Sequence, residues 1–116
     1  MFALLLMASL THSDMRVSFD ELVSSAASYD GKEIEVEGWF RGCFRTRCAL
    51  FRNETGPDHR SLTISPDSPV YSELRNMEKG EIRIVARFDA ACVSSPCGAG
   101  GAAPLSVSSF TRIERD

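Results

Sequence analysis

A chain of 116 residues, 43% hydrophobic and 25% charged, is long enough for one ordinary soluble domain with a single core and too short for two. Its formal net charge of -3 argues against electrostatic coating of nucleic acid, which takes a strong basic excess, though it leaves room for a local basic patch. No apolar stretch approaches the roughly 18 residues that a membrane span needs.

The chain opens on the apolar run Phe2–Leu10, about the length of a signal-peptide hydrophobic region. Thr11-His12-Ser13 then supplies small residues near a cleavage point before Asp14. Residues 1–13 therefore read as a signal peptide and residues 16–116 as one domain. No Lys or Arg precedes the run, so the basic leader would have to lie upstream of Met1. Uncleaved, the run would be a core element or a short anchor rather than a span.

Ser18-Phe19-Asp20-Glu21 has the capping-box form, with Ser accepting from first-turn amides and Glu reaching back. Phe19, Leu22, Val23 and Ala26 follow at helical spacing, and Asp30-Gly31 predicts the stop. From Lys32 to Arg41 the pattern changes, with strict alternation over Glu33 to Glu37. Ile34 and Val36 face one side while Glu33, Glu35 and Glu37 face the other, which predicts a half-buried strand. Gly38 marks an expected bend or bulge in that strand. A second strand is predicted over 48–52, a loop over 53–59 and a third strand over 61–65. Ser68-Pro69 reads as a helix start, with Val70, Leu74 and Met77 on one face and Gly80 as the stop. The clearest strand is Glu81–Asp89, followed by a small-residue, glycine-rich loop over 90–104 and a last strand over 105–113.

The order is a helix, three strands, a second helix and two strands. Mostly β with two short helices, it fits a five-stranded OB-fold-like Greek-key barrel of antiparallel strands; the alternative is an α+β open antiparallel roll. The expected core is Ile34, Val36, Phe40, Leu62, Ile64, Ile82, Ile84, Phe88, Leu105 and Val107. Three segments carry a further resemblance: Ser18–Leu22, Tyr29–Gly38 (Y-D-G-K-E-I-E-V-E-G) and Gly80–Asp89, with a closing Phe110–Ile113. Together they resemble small exported bacterial OB-fold proteins of largely unassigned function. The resemblance covers most of the chain after residue 16. It implies a fold and a compartment, periplasmic or secreted, and carries over no catalytic residue or cofactor.

The cysteines lie outside that resemblance. The four form two equally spaced pairs, Cys43-x4-Cys48 and Cys92-x4-Cys97, a framework suited to an oxidising compartment. In the barrel the two pairs would flank the first and last inter-strand loops, at the same end. Local bridges Cys43–Cys48 and Cys92–Cys97 are the leading reading, because residues flanking one hairpin tip readily reach bonding distance. Cross-loop bridges, a four-cysteine zinc site and free thiols are the alternatives; zinc knuckles typically use tighter spacing.

Arg41, Arg45, Arg47 and Arg52 cluster around the first loop among Trp39, Phe40, Phe44 and Phe51. An OB-fold that binds single strands places cations and stacking aromatics there. The bland reading is a solvated face neutralised by Glu33, Glu35 and Glu37, with Phe40 in the core. Parity points Trp39 outward beside the arginines, which makes Trp39, Arg41, Arg45 and Arg47 the binding candidates.

Catalysis has little support. After residue 13 the one histidine is His59, between Asp58 and Arg60 in a turn-rich loop, and a sequence-adjacent Asp does not orient a catalytic base. The spacing of the cysteines is not the C-x-x-C of thiol oxidoreductases. The expected function is a non-catalytic exported domain, stapled by disulfides, binding a peptide, glycan or small anion at the loop rim. The alternative is an intracellular binder of single-stranded nucleic acid, which the acidic balance disfavours.

Overall fold

The computed structural model describes residues 15–44, 47–56, 61–94 and 103–114; the expected signal peptide lies outside them. Within them are β1 (Glu33–Phe44), β2 (Arg47–Phe51), β3 (Ser61–Ile64), β4 (Gly80–Phe88) and β5 (Leu105–Arg112). They hydrogen-bond in the order β1-β2-β3-β5-β4, and β4 returns to β1, so the sheet closes on itself as a barrel. This is the OB-fold-like arrangement, and closure removes the open roll. One neighbour pair departs from the antiparallel expectation. β3 and β5 run parallel, meeting through Ile64 and Leu105, with the Ser65 amide donating to the Leu105 carbonyl at 2.7 Å.

Alternation along the strands fills the interior. All ten residues of the expected core are at most 1% exposed, joined by Leu22, Cys48, Leu50, Leu74 and Ala86. Gly38 belongs to that inward row, and the reason is contact rather than a bulge. A Cβ there would stand 2.7 Å from Leu50 Cγ and 2.7 Å from the Phe51 carbonyl oxygen, inside van der Waals distance. The bulge lies farther on. Trp39 pairs with Phe51 and Phe40 with Leu50, but Cys43 pairs with Cys48, so the register slips by one across Arg41-Gly42. Gly42 takes the positive φ of +88° that this slip requires, a conformation suited to glycine.

Strand β1 has 12 residues, and no single neighbour matches all of them. β4 pairs with Glu33–Phe40, whereas β2 pairs only from Trp39 onward. The remaining edge of the first half is taken by the segment before the first helix. The Val17 amide donates to the Glu35 carbonyl at 2.9 Å and the Glu35 amide to the Met15 carbonyl at 3.0 Å. Arg16 pairs in parallel with Glu35, and its guanidinium reaches the Glu35 carboxylate at 2.8 Å.

Helix α1 (Phe19–Ser24) starts where its cap predicts, and the Glu21 amide donates to Ser18 Oγ at 3.1 Å. It ends early, continuing as a 3-10 turn over Ala26–Tyr29. Only half of the capping box forms. Glu21 instead accepts from the Tyr29 hydroxyl at 3.2 Å. Desolvation first, then that bond and the carboxylate's charge, raise the Tyr29 pKa above its ordinary value.

Helix α2 (Tyr71–Arg75) is shorter than predicted, and Ser68 is not its cap. Ser68 is buried, and its Oγ accepts from the Val107 amide at 2.9 Å, closing β5 where β3 has ended. Gly80 opens β4 instead of ending the helix. Leu74 is fully buried, with Val70 and Met77 packed beside it, so the predicted apolar face holds. Replacing Ser68 by alanine strands the Val107 amide away from water. We expect a loss of about 1 to 2 kcal/mol in denaturant unfolding, with exchange protection falling first at Val107.

Candidate functional site

The two cysteine pairs were expected at one end of the barrel, but β1 and β4 run antiparallel, Phe40 opposite Gly80 and Glu33 opposite Arg87, so β4 ends beside the start of β1 and away from the β1–β2 turn. Cys43 and Cys48 are disulfide-bonded, with Cα atoms 4.3 Å apart. The register slip at Arg41-Gly42 makes this local bond possible, because it sets Cys43 directly opposite Cys48. The bond takes both thiols, which removes the cross-loop bridge, the free-thiol state and the four-cysteine zinc site. Among the described residues no three His, Cys, Asp or Glu side chains gather as a metal site. Cys92 is also disulfide-bonded; it sits in a short helix, α3 (Ala91–Ser94), where a loop was expected. Its expected partner Cys97, like Arg45 and His59, lies outside the described residues.

Beyond the bulge the outer face of β1, β2 and β3 forms an open groove of about 530 Å³. Arg41, Gly42 and Cys43 come from β1, Arg47, Ala49 and Phe51 from β2, Ser61 and Thr63 from β3, and Lys79 from the turn before β4. The β2 and β3 residues follow from pleat parity, since Cys48, Leu50, Leu62 and Ile64 point inward. Among the described residues three cations line the groove, and no carboxylate does.

The candidate arginines separate. Arg41 and Arg47 line the groove. Arg41 donates through Nε and Nη2 to the Asn53 carbonyl at 3.3 and 2.9 Å, and its guanidinium lies 4.1 Å over the Phe51 ring. Arg52 turns away to Asp20 of α1 at 3.1 Å, an exposed pair. Trp39 is half-buried and outside the core, as parity implies, and neighbours Phe51 in the β1–β2 register beside the groove. Glu35 and Glu37 do not neutralise the arginine cluster. Arg83 of β4 lies 2.8 Å from Glu37 and 3.4 Å from Glu35, so these carboxylates are engaged on the other side of β1.

Lys79 had no signal in the sequence, since it is remote from the first hairpin. Two neighbours bring it there. Arg112 donates to the carbonyls of Glu78 and Lys79 at 3.1 and 3.2 Å, fixing the turn. The Lys79 stem then passes over Gly42, where a Cβ would lie 3.9 Å from its Cε.

No helix among the described residues is long and apolar enough to cross a membrane. Compared with protein-family models and with curated proteins, the chain matches none.

Proposed function

We propose that this is a non-catalytic, exported binding domain, stabilised by disulfides, that takes an anionic ligand in the groove on β1, β2 and β3. The observation that carries this reading is the groove lining: Arg41, Arg47 and Lys79 with the hydroxyls of Ser61 and Thr63, and no carboxylate among the described residues. Such a lining attracts negative charge and offers hydrogen bonds at its floor. Among peptide, glycan and small anion, it favours an acidic peptide over a neutral sugar chain. The Cys43–Cys48 bond supports a periplasmic or secreted setting. Nucleic acid is the second reading, prompted by cations beside aromatics. Arg41 covers one face of Phe51, which takes that face away as a stacking platform for bases.

A labelled oligoglutamate peptide is the probe, followed by anisotropy and by Trp39 fluorescence at several salt concentrations. Affinity is expected to fall as salt rises. The triple variant Arg41→Gln/Arg47→Gln/Lys79→Gln should lose about 3 kcal/mol, or about a hundredfold in Kd, at about 1 kcal/mol per charge contact. Unchanged affinity in that variant, or tighter binding of a short oligothymidylate than of the peptide, would count against the proposal.

A further inference from the structure

The three groove cations differ in what holds them. Arg41 is tied to the Asn53 carbonyl and lies against Phe51. Lys79 follows a turn whose carbonyls Arg112 grips, and its stem runs over Gly42. Arg47 is exposed, and no hydrogen bond or ion pair to another described side chain restrains it.

The strand ladders explain why this matters. β4 accompanies β1 only as far as Phe40, which pairs with Gly80. β3 accompanies β2 only from Cys48, which pairs with Ile64. Arg47 therefore sits past the last rung on its β3 side, and past the bulge on its β1 side. Two rungs of the first hairpin remain there, Cys43 with Cys48 and Phe44 with Arg47. The first of these is covalent, and Cys48 is wholly buried and fixed in the core.

We infer that the Cys43–Cys48 disulfide is the positioning element for Arg47, holding this one cation over the groove while Arg41 and Lys79 are held without it. The inference rests on the groove reading above. Ligand contact through Arg47 then depends on the oxidised hairpin. Reduction by dithiothreitol breaks the S–S bond and leaves two thiols, while the reagent's two sulfurs close into a cyclic disulfide. The hairpin end is then free to fray, and Arg47 with it.

Two measurements test this. The first is a cycle with the oligoglutamate probe on the wild type, Arg47→Gln, Cys43→Ala/Cys48→Ala and the variant combining them. The alanine pair spares the Cys92 bridge, and reduced wild type is the check that the cavity at residue 48 is not responsible. Removing the bridge should weaken binding about fivefold, as Arg47→Gln does, and the combined variant should be no weaker than either. Arg47→Lys should keep the sensitivity to reduction. Losses that add would mean the bridge acts through another group and would overturn the inference.

The second measurement needs no ligand. Arginine side-chain NMR should show the Arg47 Nε–H signal sharpening on reduction, while that of Arg41 stays in place. If oxidised wild type fails to bind the probe, the groove reading fails, and these spectra still decide the positioning role. An unchanged Arg47 signal, or equal changes at Arg41 and Arg47, would overturn it.

Discussion

Replacing Gly38 by alanine is expected to destabilise the domain by about 3 kcal/mol, the upper end for overpacking a core. The added methyl would meet two atoms at 2.7 Å, Leu50 Cγ and the Phe51 carbonyl oxygen. Leu50 is fully buried and has nowhere to swing, and the carbonyl is part of β2 itself. Relief would require β1 and β2 to separate where Trp39 and Phe40 pair with Phe51 and Leu50. Domains of this size hold roughly 5–15 kcal/mol in all, so the melting temperature should fall by about 12 °C or more. Valine, with two further methyls, should leave no cooperative transition. A melting temperature within about 2 °C of wild type in the alanine variant would show that the strands separate at little expense.

Loss of the Cys43–Cys48 bond is expected to remove about 2 kcal/mol, the chain-entropy value for so short a loop. The rest of the core is built from carbon side chains of the five strands, with Val17, Phe19, Leu22 and Leu74 from in and before the helices, none of which depends on a thiol. Reduction also opens the Cys92 bond, so the reduced protein should remain folded and melt lower by at least about 10 °C. Amide exchange should accelerate first over residues 42–49 and 91–94, with protection kept at Ile34, Val36, Ile82 and Ile84. Uniform loss of protection in every strand would mean that the bridges hold the barrel itself.

Much of the barrel was legible because alternation is a property of the strand alone. Ile34, Val36, Ile82 and Ile84 reveal their burial through their immediate neighbours, and no other part of the chain is needed to read it. Ser68 misleads for the opposite reason. Before Pro69 it has the form of a cap, yet its partner is the Val107 amide, brought near only by the arrival of β5. Gly38 and Gly42 could not be told apart by sequence, since one answers to a neighbouring strand and the other to its own φ. Their roles are set by where β2 pairs. The site divides in the same way. Arg41 and Arg47 were visible as a local cluster, while Lys79 depends on Arg112, a residue from the far end of the chain. The parallel meeting of β3 and β5 likewise depends on a connection whose length says little about direction.

The pairing of Met15–Val17 along β1 has a bearing on self-association. A strand that outruns its neighbours exposes unpaired amides and carbonyls, the template on which other chains stack into aggregates. Here the donor and acceptor of Glu35 are both spoken for by the chain's own preceding residues, and the charged Arg16 stands on the outer flank. The segment leading into α1 thus acts as a built-in stop, keeping the longest strand from recruiting a copy of itself.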